Sequence, residues 1–225
     1  MIRVENVAVF NLEGALRGMR NPLNSWAKSD SAYCEDLACS NCRMYDAGCN
    51  GPDQTGYIIG ENDLSLARRL YKAGPEHRKY LRQIFVSMDV VAPDYWFKEF
   101  ATYRVGVTEN STSTMHRIAA KEFELDDFSH DHLLTAGAYH LQQTVDLLNK
   151  WRTLYLDGNG AYEKHDKEVW WQMIQTLPMS YNYRRTVTLN YETVVTIIKQ
   201  RSGHKLDEWR DFIKVLTNLP YVAEI

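Results

Sequence analysis

The stretch from Ala92 to Ile118 constrains the fold of this chain more than any other part of it. Pro93 suits the first position of a helix, and aromatic side chains then recur three or four residues apart, which predicts an amphipathic helix that ends before Gly106. A run of small polar residues, 110–114, follows. Such a run makes a poor helix interior but can donate hydrogen bonds to an anion where the next helix begins. An ordinary capped loop is the other interpretation of it.

Hydrophobic periodicity predicts a mixture of helices and short strands along the rest of the chain. The predicted strands cover residues 2–10, 84–91 and 185–189. The predicted helices cover residues 61–73, 126–156, 162–176, 190–200 and 206–216, with a short helix or turn at 11–20. The sequence shows no internal repeat, no low-complexity segment and no evident linker between domains.

Composition excludes several classes of protein. A chain of 225 residues is long enough to bury a sizeable core. No apolar run approaches the roughly 20 residues that a membrane helix needs, and the N-terminus lacks a signal-peptide pattern, so we expect no membrane association and a cytoplasmic location, in the host if a phage encodes the protein. The net charge of -3 argues against general nucleic-acid binding. The fourteen tyrosines and six tryptophans suit a core, stacking on planar ligands or a large oligomer interface.

All four cysteines lie close together, at Cys34, Cys39, Cys42 and Cys49. Their spacing, C-x4-C-x2-C-x6-C, contains one C-x-x-C pair of the kind found in tetrahedral metal sites, whereas the outer spacings are irregular. In a reducing compartment this clustering favours metal binding over disulfides. The sequence therefore leaves two interpretations, a structural zinc site or free thiols in a surface insertion.

No catalytic motif stands out in the remaining residues. The sequence has no Gly-rich phosphate loop, no nucleophile beside a general base and no H-E-x-x-H pattern. The histidines at 130, 132, 140 and 165 are scattered, as surface or interface residues are. The chain does carry many arginines, amides and hydroxyls, which are the groups that bind phosphates and pyrimidine rings.

Two segments resemble the flavin-dependent thymidylate synthase (ThyX) family, particularly the short versions found in phage genomes. The first, 74–118, contains GPEHRKYLRQIFVSMDVVAPDYWFKEFATYR. It has the family's histidine-bearing turn, strand, Ala-Pro pair and aromatic helix, which leads into the signature R-H-R-x-x-S-x-N-E-x-S-x-R. The second, 173–212, contains LPMSYNYRRTVTLNYETVVTIIKQRSGHKLDEWR and follows the family's order of Leu-Pro, Thr-x-Asn, Arg, His and Glu-x-Arg. The remaining residues match by position only.

The resemblance implies an α+β fold, with one ThyX-like domain over residues 1–225, a small and mostly antiparallel sheet, long helices and a Cys-rich insertion at about 30–56. It also implies reductive methylation of dUMP to dTMP, with bound FAD and with NADPH and methylenetetrahydrofolate as co-substrates. Such chemistry needs no protein nucleophile, because the reduced flavin supplies hydride and the protein supplies orientation and electrostatics. Sites in this family form between the subunits of a homotetramer, so the resemblance also implies a homo-oligomer.

The resemblance assigns roles to individual residues. Arg201 matches the arginine that holds the nucleotide and polarises its pyrimidine, which makes it the catalytic candidate. The flavin contacts are His77, Tyr103, Arg104, Asn190 and His204. The nucleotide contacts are Asn110, Ser111 and Ser113, together with Arg201. Of these groups, Ser111, Ser113 and Arg104 are expected to hold phosphates.

This chain departs from the family where several basic residues are expected. Thr102 and Tyr103 stand in place of an arginine and a histidine, although a tyrosine ring can also stack on a flavin. Thr114, Ile174 and Glu192 each replace an arginine. Each charge-assisted contact that is lost costs about 1.5–3 kcal/mol. The cations that can compensate are Arg82, Lys98, Arg184 and Arg185.

These losses support an alternative from a different class of protein. A ThyX-fold protein can keep its scaffold and lose synthase activity. Such a chain would bind a nucleotide, or would act as a structural or regulatory phage protein.

Overall fold

The computed structural model describes residues 2–34 and 56–225. Both helices and strands occur along these ranges, which confirms the predicted α+β class. The strands are β1 (Arg3–Phe10), β2 (Ala32–Tyr33), β3 (Tyr57–Ile58), β4 (Phe85–Pro93), β5 (Val107–Ser111) and β6 (Asn182–Asn190). The helices are α1 (Leu12–Arg20), α2 (Glu61–Ala73), α3 (Asp94–Phe100), α4 (Thr114–Arg117), α5 (Thr135–Asp157), α6 (Lys167–Thr176), α7 (Tyr191–Arg201) and α8 (Asp207–Thr217).

Four of the strands form one sheet in the order β1-β4-β6-β5. The short strands β2 and β3 form a separate antiparallel pair, in which Ala32 lies opposite Ile58. Strand β4 shows the alternation that the sequence predicts, since Val86, Met88 and Val90 are all buried. This strand carries much of the apolar face of the four-stranded sheet.

The chain divides into two compact units, each assembled from separate segments. The first unit comprises Met1–Arg3, Val90–Thr102 and Asn110–Arg185. The second unit comprises Val4–Asp89, Tyr103–Glu109 and Thr186–Ile225. The prediction of one domain over the whole chain stays a prediction.

The second unit contains a buried ion pair between α1 and α2. Arg20 donates a hydrogen bond from Nε to Oδ1 of Asp63 at 2.5 Å, and the two side chains are only 4% and 0% exposed. Ser29 and Ser31 each donate to the other oxygen of Asp63 at 2.6 Å. At the start of α2, the Asp30 carboxylate accepts hydrogen bonds from the backbone N–H groups of Asn62 and Asp63.

The first unit is built around a cluster of apolar side chains that includes residues from α5 and α6. Leu148 and Met173 are completely buried within it. The buried members of the cluster are Ile118, Phe123, Phe128, Leu141, Val145, Leu148 and Met173. This cluster supports the loop between α4 and α5, because Ile118, Phe123 and Phe128 come from that region.

Several predicted elements differ from the structure. Helix α6 begins at Lys167 and not at 162, because Asp166 is its N-cap. Helix α3 ends at Phe100, well before Gly106, and Pro93 closes β4 rather than opening the helix. Residues 107–111 form an edge strand, where the sequence predicted only a polar loop. Helix α5 begins at Thr135 and not at 126, because Glu124 and Asp127 make a capping box around a short 3-10 turn. None of the helices in the described ranges has the length and apolarity needed to cross a bilayer.

Candidate functional site

The C-terminal end of α7 brings Arg201 against Tyr103 in the second unit. Arg201 donates a hydrogen bond from Nε to the Tyr103 hydroxyl at 2.9 Å. Its guanidinium carbon also lies 5.5 Å from the centre of the Tyr103 ring. Two residues that the resemblance assigns to nucleotide and flavin binding are therefore in direct contact.

Trp209 completes this cluster from the first turn of α8. The Arg201 guanidinium lies 4.8 Å from the centre of the fully buried Trp209 side chain. The Tyr103 ring meets Trp209 edge-on, with centroids 6.0 Å apart, and the His204 ring does so at 6.1 Å. Nδ1 of His204 accepts a hydrogen bond from the backbone N–H of Leu206, which fixes the ring. A cation between aromatic rings is stabilised by their quadrupoles, so Arg201 is held in place from two sides.

Asn190 is the N-cap of α7. Its Oδ1 accepts a hydrogen bond from the Thr193 backbone N–H at 3.0 Å, and the Thr193 hydroxyl donates to the Val105 carbonyl oxygen at 3.1 Å. These bonds attach the segment after Tyr103 to the start of α7. Gly106 lies so close that a Cβ there would be 2.4 Å from Nδ2 of Asn190. The side-chain oxygen of Asn190, a residue that is predicted to contact flavin, thus already has a structural role.

Glu192 pairs with Arg78 at the other face of the same helical turn. Nη2 of Arg78 lies 2.7 Å from one carboxylate oxygen of Glu192, and Nε lies 3.0 Å from the other. This geometry is a bidentate ion pair in which both side chains are mostly buried. Arg78 also stacks on the ring of Tyr71. The acidic residue that replaces a family arginine is therefore neutralised by a cation of this chain.

The other predicted flavin contacts in the second unit reach the surface. His77 and Arg104 are exposed, and His204 is half-buried. His77 lies in the turn after α2, where its backbone N–H donates to the Gly74 carbonyl oxygen. These side chains are accessible to a ligand, and their assignment to flavin stays a prediction.

The nucleotide contacts predicted from the signature lie in the first unit. Asn110 and Ser111 are exposed residues of β5, and Ser113 is the N-cap of α4, where its hydroxyl accepts from the His116 backbone N–H. Ser111 donates its hydroxyl to the backbone carbonyl of Thr112. Of the three, Ser113 lines a cleft of about 400 Å³.

We call this space the cation cleft, because four basic residues and three adjacent hydroxyls line it. The basic residues are Arg3, Arg117, Lys121 and Arg184. The hydroxyls belong to Thr112, Ser113 and Thr114. Two carboxylates, Asp126 and Asp127, also line it, so positive charge is in excess.

Hydrogen bonds fix the walls of the cation cleft. The backbone N–H of Thr112 donates to the Arg184 carbonyl oxygen at 2.9 Å, which holds the hydroxyl run beside β6. Asp127 accepts from Nζ of Lys121 at 2.5 Å and from the Glu124 backbone N–H at 3.0 Å. Burial, with a smaller effect of Asp127, raises the pKa of the Tyr181 hydroxyl, which therefore stays protonated on this wall.

Arg185, one of the cations that the sequence offered as compensation, is engaged with aromatic rings. Its guanidinium carbon lies 4.0 Å from the centre of the Phe97 ring and 5.8 Å from that of Tyr183. The neighbouring Arg184 is the one that lines the cation cleft. The alternation of side chains along β6 separates these two roles.

The zinc prediction falls mostly outside the described residues. Cys34 is described, whereas Cys39, Cys42 and Cys49 lie in the range 35–55. Among the residues that the structure describes, no group of three or more His, Cys, Asp or Glu side chains is arranged to hold a metal ion. The cysteine site stays a prediction.

The sequence did not predict several of the residues around Arg201 or several of those that line the cation cleft. In the sequence, Trp209 is one more apolar position of α8, and its spacing does not indicate a contact with Arg201. Lys121, Asn182 and Arg3 come from distant parts of the chain and meet only in the folded first unit. Arg117 lies in the short helix α4, on which its place in the cation cleft depends.

Solved structures with the same fold include flavin-dependent thymidylate synthases. Thymidylate synthase X from Helicobacter pylori, in a complex with FAD and dUMP, has a TM-score of 0.62 at 17% identity, over 100% of this chain and 96% of that one. A second structure of the H. pylori enzyme with FAD and dUMP has a TM-score of 0.62 at 18% identity, over 99% and 96%. The UMP/dUMP methylase PolB from Streptomyces cacaoi, bound with 5-Br dUMP, has a TM-score of 0.61 at 12% identity, over 100% and 93%.

These likenesses extend over nearly the whole of each chain and show a shared fold. The sequence matches no protein-family model and no curated protein. The fold implied by residues 74–118 and 173–212 is therefore confirmed by structure. At identities of 12–18% the activity does not follow from the fold.

Proposed function

We propose that this protein binds a uracil nucleotide of the dUMP type and methylates it reductively with FAD, using NADPH and methylenetetrahydrofolate as co-substrates. The observation that carries this proposal is the likeness in fold, over almost their full length, to proteins solved with dUMP and FAD or with 5-Br dUMP. The ligands dUMP and 5-Br dUMP share a uracil ring on a nucleotide. The positions of Arg201 and Tyr103 support it.

The residues of the second unit fit FAD in part. Exposed His77 and Arg104 and half-buried His204 can contact an aromatic ring system and its phosphates. Asn190 and Glu192 offer less, because the oxygen of the first caps α7 and the second binds Arg78. When bound, FAD would supply the reducing equivalents for methylation.

The chain's own residues would bind and polarise the nucleotide. Arg201 would direct its guanidinium at a uracil carbonyl oxygen, and its contacts with Tyr103 and Trp209 fix its orientation in advance. Ser113, which the resemblance also assigns to the nucleotide, lines the cation cleft of the first unit, and its hydroxyl can donate to a phosphate oxygen. These roles need no covalent intermediate with the protein.

The absorption spectrum of the purified protein is the first test. We expect a yellow protein with flavin absorption, and dUMP-dependent oxidation of NADPH when methylenetetrahydrofolate is present. Arg201→Ala should abolish that oxidation. Arg17→Ala is the matched control, because Arg17 is a surface arginine whose side chain is 68% exposed. Equal turnover of Arg201→Ala and the unmodified chain would refute the role of Arg201.

A nucleotide-binding protein without synthase activity is the second candidate. The engagement of Asn190 and Glu192 within the protein favours it, together with the missing arginines at 114 and 174. A colourless protein that takes up no added FAD but binds dUMP would support this candidate over the first.

A further inference from the structure

A second concave space lies in the first unit, and the described residues that line it include none of those assigned by the resemblance. It has a volume of about 290 Å³ and is formed by α4 and the residues after it, the last turn of α5, the segment before α6 and the first turn of α6. We call it the aromatic pocket, because the rings of Tyr155, His165 and Trp170 line it. All of its lining residues belong to the first unit.

The walls of the aromatic pocket are held from behind by the core. Tyr155 and Trp170 are partly buried and pack against the apolar cluster of the first unit, as Ala119 does. Nε of Arg152 donates a hydrogen bond to the Ala119 carbonyl oxygen at 3.1 Å, which attaches this wall to α5. Rings that the core already holds lose little freedom when a ligand packs against them. The pocket is therefore preformed in the folded chain.

His165 lies on the wall of the pocket in an uncommon backbone conformation. Its φ of 63° is left-handed, which costs a residue with a side chain more than it costs glycine. The backbone N–H of His165 donates to the Tyr155 carbonyl oxygen at 2.7 Å, and the two rings meet edge-on with centroids 4.9 Å apart. Oδ1 of Asn159 organises the preceding turn by accepting from the backbone N–H groups of Ala161 and Tyr162. The loop thus places an imidazole beside the Tyr155 ring at a cost in backbone energy.

The side chains of the lining determine which chemistry the aromatic pocket favours. Aromatic faces and edges favour a planar aromatic ring as the ligand. Among the described residues, no aspartate or glutamate lines the pocket, whereas Arg117 does. A negative group on the ligand is therefore favoured over a positive one. Aromatic cages can also bind a quaternary ammonium, but here Arg117 would repel that cation.

The volume limits the size of the ligand. A space of about 290 Å³ is at the small end of the range for small-molecule sites, so it suits one ring system with one substituent rather than a dinucleotide. The aromatic pocket shares only Arg117 and Ile118 with the described lining of the cation cleft. It is therefore a different site from that cleft.

We propose that the aromatic pocket binds a planar aromatic anion of the size of a nucleoside monophosphate, with its ring against Tyr155, His165 and Trp170 and its negative group at Arg117. This site does not depend on the proposed function, because none of the proposed flavin or nucleotide contacts lines it. It gives a binding role to the segment 155–170, which the resemblance matches by position only.

Calorimetric titration of the full chain with four probes tests the proposal. The probes are adenosine monophosphate (AMP), adenosine, ribose phosphate and choline. We expect AMP to bind at least about 10-fold more tightly than adenosine, which lacks the charge, and than ribose phosphate, which lacks the ring. Choline should bind more weakly than AMP. Equal affinity for AMP and either of its fragments would overturn the proposal, as would tighter binding of choline or the absence of AMP binding at about 1 mM.

His165→Asn tests the imidazole, because asparagine tolerates the left-handed backbone but lacks the ring. We expect AMP affinity to fall by about 5-fold or more and the urea midpoint of unfolding to stay unchanged. A purely structural role of His165 would instead lower the midpoint and leave AMP affinity unchanged. His140→Asn is the matched control, because His140 is an exposed residue of α5 outside the pocket, and it should not change AMP affinity. Unchanged AMP affinity in His165→Asn would overturn the assignment of the ring.

Substitutions of Trp170 and Arg117 separate the ring from the charge. Trp170→Phe keeps an aromatic face and should bind AMP within about 3-fold of the unmodified chain, whereas Trp170→Leu should lose about 10-fold. Arg117→Gln should weaken AMP binding by about 10-fold and leave adenosine binding unchanged. Arg17→Gln removes the same charge from an exposed position of the second unit and should change neither affinity. Equal AMP affinity in both Trp170 variants, or unchanged AMP affinity in Arg117→Gln, would overturn the proposal.

Arg201→Ala separates the aromatic pocket from the proposed nucleotide site. Arg201 belongs to the second unit and does not line the pocket, so AMP affinity should be unchanged in this variant. Loss of AMP binding in Arg201→Ala would place AMP in the proposed nucleotide site and overturn the inference. Binding of AMP that depends on His165 in a chain without synthase activity would keep the aromatic pocket and reject the proposed function.

Discussion

Arg201 donates a hydrogen bond from Nε to the hydroxyl of Tyr103 at 2.9 Å, across 98 residues of sequence. The buried ring of Trp209 lies on the same guanidinium, 4.8 Å from its carbon. A guanidinium held by a hydroxyl and an aromatic ring loses little further freedom when a ligand binds. This preorganisation gives the proposed role of Arg201 its physical basis.

Replacing Tyr103 by phenylalanine tests the hydrogen bond without removing the ring. We expect Tyr103→Phe to weaken dUMP binding by about 2- to 10-fold, because one hydrogen bond is worth about 1 kcal/mol and Arg201 keeps its contacts with both rings. Calorimetric titration with dUMP measures the effect.

The control for this substitution is Tyr33→Phe. Tyr33 donates its hydroxyl to Glu13 at 2.9 Å, at an exposed position of the same unit. The control should leave dUMP affinity unchanged. Identical dUMP affinity in Tyr103→Phe and the unmodified chain would mean that the hydroxyl does not position Arg201.

Local signals predicted most of the helices. Helix α2 covers residues 61–73 as predicted, because Gly74 ends it clearly, and Asn190 marks the start of α7. The predicted start of α5 at residue 126 was wrong, because the Glu124–Asp127 capping box forms a 3-10 turn there and α5 begins at Thr135. Strand β5 was missed, because a polar edge strand has no apolar alternation and exists only through pairing in the sheet.

The sequence predicted which residues belong to the candidate site, but not how their side chains are arranged in space. The resemblance pointed to Arg201 and Tyr103, but only the folded chain shows their hydrogen bond. It also showed that Glu192 stands where the family has an arginine. The structure shows that Arg78 pairs with Glu192 and neutralises its charge. The cation cleft depends on side chains from four separate stretches, such as Arg3 and Lys121, whose spacing in sequence carries no signal.

The Arg20–Asp63 pair should dominate the stability of the second unit. Asp63→Asn removes the negative charge and leaves the buried Arg20 guanidinium uncompensated, so we expect a loss of about 3–5 kcal/mol in the free energy of unfolding. Urea denaturation measures the loss. Asp211→Asn is the control, because its partner Lys214 is 74% exposed and that pair should contribute less than about 1 kcal/mol. Equal losses in both variants would contradict the prediction.

The same carboxyl should make stability depend on pH. Burial alone would raise the pKa of Asp63, but hydrogen bonds from Ser29 and Ser31 and the nearby Arg20 lower it below its ordinary value. Its stabilising effect is therefore complete above the unfolded pKa, about 3.9, and is lost as the pH falls through the folded pKa.

We therefore expect the difference in unfolding free energy between the unmodified chain and Asp63→Asn to be constant from pH 7 to about pH 5 and to shrink below about pH 4. Urea titrations at steps between pH 7 and pH 3 measure this difference. The comparison with the variant removes the contribution of the other carboxyls. A difference that grows on acidification would contradict the depressed pKa.

Gly106 should tolerate no side chain. Its φ of 77° is a left-handed conformation that favours glycine, and a Cβ would lie 2.4 Å from Nδ2 of Asn190. We expect Gly106→Ala to cost about 1–3 kcal/mol of unfolding free energy, measured in urea. Gly160→Ala is the control, because a Cβ there would meet no atom within 4 Å. A cost for Gly106→Ala no larger than that of the control would show that the segment moves aside.

The effects of substitutions at Glu192 and Arg78 on the unfolding free energy should depend on each other. Glu192→Arg restores the residue type that the resemblance expects, but it places two guanidiniums together where the original side chains are only 19% and 20% exposed. We expect a loss of at least about 2 kcal/mol in unfolding free energy, and recovery of much of it when Arg78→Glu is added. Urea denaturation of the two single variants and the double variant measures the coupling. Because Arg78 lies against position 192, a single substitution to the family's arginine should destabilise the chain. A Glu192→Arg chain as stable as the unmodified one would contradict this prediction.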